Sequence, residues 1–150
     1  MSTPLDIREV QASEVESVRL FLAQNGWGHR IGSAEYFAQL IANSQRTTVA
    51  MKGSQIVGFA RGITDGLCNG YLSMVVVCEQ HRREGIGRAL VEHVMGENRD
   101  ITWVLRAGRE GASVFFSGLG FEASSIAMER PRNQSSNVHS PKRLNAKESQ

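Results

Sequence analysis

Residues 71–90, which read YLSMVVVCEQHRREGIGRAL, decide the fold because they join an apolar run, a turn with two glycines and the start of an amphipathic segment. The apolar run at 74–77 predicts a strand buried on both faces, as the central strands of a sheet are. Residues 89–94 place apolar side chains at helical spacing, which predicts a helix that ends near residue 98. A second apolar segment at 101–105 completes a βαβ unit and predicts parallel strands joined by a right-handed crossover.

The segments on either side of this unit predict an antiparallel first half and a short ending. Apolar spacing and turn residues predict a strand at 5–10, helices at 15–25 and 33–41, a hairpin of strands at 47–51 and 56–63, a helix at 112–119 and a last strand at 121–128. The chain is therefore predicted to be an α/β protein with a single mixed twisted sheet, antiparallel in its N-terminal half, and with helices on both faces.

The size and composition of the chain limit the classes of function. A length of 150 residues with 41% apolar residues fits one domain with its own core. No basic segment followed by an apolar run opens the sequence, and no stretch approaches the roughly 18 apolar residues of a membrane span, so a cytoplasmic protein is expected. Cys68 and Cys78 are too few for a disulfide framework and have no histidine at metal-ligand spacing, so no metal is expected.

The charged residues are distributed unevenly. The net charge is +2, but residues 130–150 carry five basic residues and one acidic residue, which leaves −2 on residues 1–129. The end of the chain is rich in serine and asparagine and has no apolar periodicity, so residues 1–130 are predicted to form the domain and residues 131–150 a disordered basic tail. A solubilising role is favoured for this tail over a nucleic-acid or acidic-surface partner.

The turn at residues 82–88 has the composition of a phosphate-binding loop. It lies between a buried strand and a helix start, where backbone N–H groups and the positive helix end converge on one anion. Gly85 and Gly87 let an anion approach the main chain, and three arginines add positive charge. A dinucleotide-binding fold is disfavoured because Leu90 occupies the place of its third glycine, and a Walker A loop because Gly-Lys-Ser/Thr is absent. Glycines that only turn the strand into the helix remain an alternative.

Three segments resemble the GNAT N-acetyltransferases. The pattern Arg82-x-x-Gly85-x-Gly87, which follows the valines at 75–77, is similar to the pyrophosphate signature of that family. Residues 115–121 resemble its last helix with a Leu-Gly-Phe ending, and residues 56–60 resemble its middle hairpin strand. The resemblance implies a fold in which two parallel strands separate around the pantetheine arm of acetyl-coenzyme A.

The resemblance also implies a set of cofactor contacts. Backbone groups of Val75 to Val77 are expected to bond the pantetheine amides, and amides from Arg83 to Arg88 are expected to hold the pyrophosphate. The residues implied to bind acetyl-coenzyme A are Val75, Val76, Val77, Arg82, Arg83, Glu84, Gly85, Ile86, Gly87, Arg88 and Phe116.

The proton path is less complete than the cofactor site. Phe116 stands where the family usually has a tyrosine acid, and Arg109 stands roughly where an asparagine opens the last helix. A thiol with a pKa near 8.5 leaves as thiolate at a cost of only about 1.5 kcal/mol at pH 7.4, so departure without a dedicated acid is favoured over Ser117 or Tyr71 as donor. A backbone N–H at residues 76–77 is expected to stabilise the oxyanion if the strand bulges there.

The base and the acceptor wall have several candidates. Tyr71 and Asp65 are the candidate catalytic residues, although Asp65 also fits an ordinary turn and water can serve as base. Trp27, His29 and Tyr36 are candidate acceptor-binding residues, and Trp27 and Tyr36 fit helix packing equally well.

The loop and the resemblance together imply an acyltransferase. The favoured function is transfer of an acetyl group from acetyl-coenzyme A to the amine of a small molecule by direct attack on the thioester. A protein N-terminus or lysine as acceptor is one alternative, and a catalytically silent coenzyme A sensor or accessory subunit is another. No nucleic-acid or membrane partner is expected, and a homodimer is one possible assembly.

Overall fold

The structure, a computed structural model, describes residues 3–133. Most of the predicted tail, residues 134–150 with His139, lies outside the described residues. The strands are β1 (Leu5–Glu9), β2 (Arg46–Lys52), β3 (Gln55–Thr64), β4 (Asn69–Val77) and β5 (Thr102–Val104), and the α-helices are α1 (Val15–Leu22), α2 (Gly28–Ile31), α3 (Ala34–Ala42), α4 (Ile86–Met95) and α5 (Ala112–Ser117). Within this part of the chain, no helix has the length and apolar character needed to cross a membrane.

The strands form one mixed sheet in the order β1-β2-β3-β4-β5. Each of the first four pairs antiparallel with its neighbour, and β5 pairs parallel with β4, so the predicted mixed sheet with its βαβ unit is confirmed. A π-helical turn at Ala23–Trp27 joins α1 to α2. The third helix, α3, begins where the sequence predicted because the Ser33 hydroxyl accepts the Tyr36 N–H at 3.1 Å.

Helices cover both faces of the sheet. Gly58 of β3 lies so close to α4 that an added Cβ would stand 2.8 Å from Leu90 Cδ1, which explains a glycine at this position. The neighbouring Phe59 points to the opposite face, where it is fully buried in the core with Leu22 of α1 and Phe37 of α3. The core therefore has two apolar layers separated by the sheet.

The prediction of a last strand at residues 121–128, after α5, is wrong. Residues 121–133 contain no strand. The Ser124 hydroxyl accepts the backbone N–H groups of Ile126 at 3.1 Å and Ala127 at 2.9 Å, so the segment forms a local turn instead of a sheet ladder. Ile126 and Met128 are 88% and 98% exposed, so neither apolar side chain joins the core.

The core strand β4 is buried on both faces, as predicted, but not at every residue. Because the register with β3 shifts, Leu72 lies opposite Gly62 on the face that α4 covers, whereas Val76 lies opposite Phe59 on the other face, and both are buried. Val75 and Val77 are half-buried and pack against the core.

Candidate active site

The candidate site lies at a fork between β4 and β5. Their parallel pairing begins at Asn69 with Thr102 and ends at Tyr71 with Val104, whereas β4 continues to Val77. Beyond Tyr71, no strand of the described chain therefore covers the outer edge of β4. Such an edge presents backbone donors and acceptors to a ligand that binds as an extended chain. Parallel strands that separate are what the family resemblance implied.

A β-bulge interrupts β4 just past the fork. Phe59 pairs with Val76 and Arg61 pairs with Ser73, so two residues of β4, Met74 and Val75, stand opposite one residue of β3. Met74 has a φ of 55°, a left-handed conformation that costs roughly 1–2 kcal/mol for a residue with a side chain. The bulge re-aims the backbone of the residues that follow it.

The register decides which backbone groups of β4 face the open edge. The Cys78 N–H donates to Val57 O of β3 at 3.0 Å, and backbone groups alternate in direction along a strand. Val76 therefore directs its N–H and C=O to β3, whereas Val75 and Val77 direct theirs to the open edge. The Arg82 Nε–H donates to Val77 O at 3.1 Å from that edge, which agrees with this assignment. The expectation that all three valines offer backbone groups to a ligand narrows to Val75 and Val77.

The loop between β4 and α4 ends at a position whose backbone conformation favours glycine. Gly85 precedes the first residue of α4 with a φ of 83°, and the space around its missing Cβ is open to 4 Å. The first intrahelical bond runs from the Ala89 N–H to Gly85 O at 3.1 Å. The N–H groups of residues 86–88 therefore precede the helical hydrogen-bond ladder and point out of the helix end.

A second glycine in this loop has a different reason. An added Cβ at Gly87 would stand 2.9 Å from Phe115 Cζ, so Gly87 admits the ring of α5 against the start of α4. Phe115 was not among the predicted site residues, although the glycine at 87 was a signal that another group approaches closely there. Phe116, which was predicted, is half-buried and packs edge-on between Phe115 at 4.8 Å and Phe121 at 5.6 Å between ring centroids.

The three arginines of the loop are held differently. Arg82 bonds Val77 O, and Arg88 donates to Gly118 O at 3.2 Å. Arg83 has a φ of 66° and makes no hydrogen bond or ion pair with any residue from 3 to 133. Glu84 turns to the side of the loop, where the Lys52 ammonium at 2.9 Å and then His81 hold the pKa of its carboxyl below the usual range.

On the other side of the fork, Tyr71 faces a cavity of about 600 Å³. The cavity is lined by the end of β5 and by residues 127–132, which an ion pair of 2.6 Å between Arg106 and Glu129 ties to the sheet. Tyr71 is half-buried and is the last residue of β4 that pairs with β5, so the structure brings this predicted catalytic residue to the fork.

Asp65 is committed to the turn between β3 and β4. One carboxylate oxygen accepts the N–H groups of Leu67, Cys68 and Asn69 at 2.8 to 3.1 Å, and the other accepts the Cys68 thiol at 3.3 Å. These backbone donors hold the pKa of the carboxyl far below its usual range, and a carboxylate so stabilised is a weak base. The geometry favours the interpretation of Asp65 as a turn residue.

The connector between α1 and α3 holds the predicted acceptor wall. The Arg109 guanidinium lies 4.7 Å from the Trp27 ring centroid and donates to Gly26 O at 3.2 Å, which ties this connector to the start of α5. The Trp27 indole N–H is buried and has no hydrogen-bond partner in the described part of the chain. Tyr36 is 52% exposed at the first turn of α3, and His29 is exposed in α2.

Comparison with known proteins identifies the family to which this arrangement belongs. A family profile described as "Acetyltransferase (GNAT) domain" matches residues 43–123, more than half of the chain. The match begins before β2, includes the fork and the glycine loop, and ends after α5. The chain belongs to the GNAT acetyltransferases and is an acyltransferase, which confirms the family resemblance.

Individual relatives agree with this assignment. Peptidyl-lysine N-acetyltransferase YiaC of Escherichia coli (strain K12) is 27% identical over 132 residues, which cover 82% of this chain and 87% of that protein. The GNAT family acetyltransferase SP0256 of Streptococcus pneumoniae TIGR4 has a TM-score of 0.64 at 23% identity over 85% of this chain and 98% of that one. AAC(6')-Iy, solved with the bisubstrate analogue CoA-S-monomethyl-acetylneamine, has a TM-score of 0.67 at 19% identity over 87% of this chain and 100% of that one.

Proposed function

We propose that this protein transfers an acetyl group from acetyl-coenzyme A to the amine of a small molecule. The observation that carries the proposal is the free edge of β4, which begins at the fork and leads into the N-terminus of α4. Neither feature alone indicates acetyl transfer. Their continuity gives one ligand both an extended backbone partner and an anion site.

The described residues fit acetyl-coenzyme A. Val75 and Val77 offer backbone groups along the free edge, which is the complement that the amides of a pantetheine arm require. The N–H groups of residues 86–88 and the open space at Gly85 suit a pyrophosphate at the helix end, and Arg83 has no competing partner among residues 3–133. Acetyl-coenzyme A, when bound there, supplies an activated acetyl group.

The chain's own residues then determine how charge and protons are handled at the fork. The Val75 N–H follows the bulge at Met74 and faces the open edge, so it is our candidate donor to an oxygen that gains negative charge. Phe116 has no proton to donate, and Asp65 is satisfied within its turn. Tyr71 is the candidate relay beside the acceptor nitrogen, with water as the proton acceptor.

The cavity beside Tyr71 supports a small acceptor. Its volume of about 600 Å³ falls within the range of small-molecule pockets, and Arg106 and Glu129, which form an ion pair, both line it. The solved complex of AAC(6')-Iy with a bisubstrate analogue joins coenzyme A and an amine acceptor in a protein of the same fold, which supports the proposal at the level of the fold.

A protein lysine is the second candidate acceptor. The observation that favours it is the relative named as a peptidyl-lysine N-acetyltransferase, with 27% identity over most of both chains. The same cofactor site would serve this acceptor, so the two proposals differ only on the acceptor side of the fork.

Two measurements test the proposal. Calorimetry with acetyl-coenzyme A is expected to give saturable binding, and an absence of binding at millimolar ligand contradicts both candidates. Thiol release is then measured across free amino acids, polyamines, aminoglycosides and a lysine-containing peptide. Release with a small amine supports the first candidate, release with the peptide alone supports the second, and saturable binding without release in any case indicates a sensor.

A further inference from the structure

The proposed acceptor side contains a buried cation without a carboxylate partner. Arg61 lies in the middle of β3 and is only 9% exposed. Its Nε–H donates to the Ser44 hydroxyl at 2.7 Å, and neither an ion pair nor a further hydrogen bond links it to residues 3–133. Among the described residues, its terminal nitrogens are not fully enclosed atoms. A mostly buried guanidinium therefore presents N–H donors without a protein partner at its outer end, where an anion can accept them.

The position of Arg61 places this cation beside the fork. Arg61 pairs with Ser73, the residue that precedes the bulge at Met74. Ile63 and Tyr71 form the adjacent pair on the same face, because residues two apart in a strand share a face. The Arg61 side chain therefore lies next to Tyr71, on the face of the sheet that α3 covers.

The groups around the Arg61 head are neutral. Tyr36 of α3 and Tyr71 of β4 are the phenols in electrostatic range of the guanidinium, and Ser44 lies two residues beyond the end of α3. Burial lowers the pKa of Arg61, but an arginine stays protonated at neutral pH. A fixed positive charge therefore lies within electrostatic range of two phenols, and no anion of the described chain neutralises it.

We propose that Arg61 binds a carboxylate of the acceptor, so that the acceptor is an amine that carries a carboxylate, such as a free amino acid. A guanidinium matches a carboxylate through paired N–H donors, and the amine of the same small molecule then lies near Tyr71 at the fork. A polycationic acceptor is disfavoured because it would bring like charge to a buried cation. The inference rests on the proposed acetyl transfer and names its substrate class.

The test compares each amino acid with its own carboxamide. The amine of a carboxamide resembles a peptide N-terminus, with a pKa of about 7.7–8.0. At pH 7.4 a larger fraction of this amine than of the amine of the free amino acid is therefore in the nucleophilic neutral form. Intrinsic reactivity therefore favours the amide, and a preference for the acid must come from recognition. With the wild-type chain, kcat/KM for the best amino acid is expected to exceed that for its carboxamide by at least about tenfold.

Variants then separate recognition from structure. Arg61→Met is expected to reduce the acid-to-amide ratio by at least about tenfold, and Arg61→Lys, which keeps the charge and serves if the Met variant does not fold, is expected to reduce it partly. Ser44→Ala removes the protein partner of Arg61 and is expected to preserve the ratio. If Arg61→Met loses activity toward the acid and toward the amide by the same factor, Arg61 has a structural role. The same conclusion follows if Ser44→Ala has the same effect on the two activities as Arg61→Met.

The outcomes also distinguish this inference from the proposed function. If spermidine or the carboxamides are acetylated with the same kcat/KM as the amino acids, the carboxylate site is overturned, whereas acetyl transfer to small amines is upheld. If no acceptor in the panel gives thiol release, the proposed function is overturned, and this inference with it. A protein lysine as the only acceptor overturns the inference as well, because its side chain presents no carboxylate.

Discussion

On one side of the fork the candidate site consists of backbone groups from one continuous stretch, residues 75–88, whereas on the other it consists of side chains from β3, β4 and α3. The first side is set by a bulge, a register and two glycines. The second depends on Arg61 and on two phenols, Tyr71 of β4 and Tyr36 of α3, which come within electrostatic range of Arg61 only in the folded chain. The cofactor side should therefore respond to changes of backbone conformation, and the acceptor side to changes of side-chain chemistry.

The largest effect is expected from Gly85→Val, because a branched residue cannot readily adopt a φ of 83°. The variant should bind acetyl-coenzyme A at least about tenfold more weakly by calorimetry, since the N–H groups at the start of α4 move with residue 85. Gly66→Val is the matched control, because Gly66 also has a positive φ, 75°, and open space around its missing Cβ.

Both glycine variants should lose about 1–2 kcal/mol of unfolding free energy. Only Gly85→Val should lose affinity. Equal losses of affinity in the two variants would mean that general destabilisation, and not the loop, governs cofactor binding.

A smaller effect on the same side is expected from Arg83→Gln. Arg83 has no partner among the described residues, so its charge is available to a phosphate, and we expect affinity for acetyl-coenzyme A to fall roughly three- to tenfold. The loss should shrink in high salt, because salt screens exposed charges. Arg99→Gln removes the same charge from an exposed position after α4 and should leave the affinity unchanged.

A still smaller effect is expected from Phe116→Tyr. If the thiolate leaves without a dedicated acid, restoring the hydroxyl should leave kcat nearly unchanged or raise it a few-fold. Phe121→Tyr adds the same hydroxyl to the far ring of the aromatic cluster and serves as control. A hundredfold loss of kcat in Phe116→Tyr alone would show that this ring does not lie where an acid would act.

The smallest effect on turnover is expected from Asp65→Asn. Because backbone donors hold the pKa of Asp65 far below its usual range, the carboxylate is ionised throughout the working pH range and should produce no limb in the pH profile of kcat. Its stabilisation of the turn is present above the usual aspartate pKa and is lost as the pH falls through its lowered pKa. The difference in melting temperature between wild type and variant should therefore shrink below about pH 4. If the pH profile of kcat has an acidic limb in the wild type and this limb is absent from Asp65→Asn, Asp65 is the base.

The fold was largely predictable because its signals are local. The apolar run at 74–77, the glycine turn at 85–87 and the Ser33 cap each act within a few residues, and all correspond to elements of the structure. The predicted strand at 121–128 failed because Ser124 forms its own turn and no core is available to Ile126. Burial of β4 on both faces was predicted from its apolar run and is observed at Leu72 and Val76, which lie on opposite faces.

The candidate site could be named from the sequence only in part. Val75, Val77 and the loop could be named because one stretch of sequence contains them. Arg61 could not be found, since its burial and its neutral surroundings arise from elements far apart in the chain. Phe115 was missed for a related reason, because its contact with Gly87 joins α5 to α4.

Residue-resolved amide hydrogen exchange in the valines of β4 tests the central claim most directly. The register leaves the N–H groups of Val75 and Val77 at the open edge and directs that of Val76 to β3. Saturating acetyl-coenzyme A is therefore expected to slow exchange at Val75, Val77 and residues 86–88 by at least about tenfold, and to leave Val76 as slow as it already is. Binding of acetyl-coenzyme A with unchanged exchange at Val75 and Val77 would contradict the account.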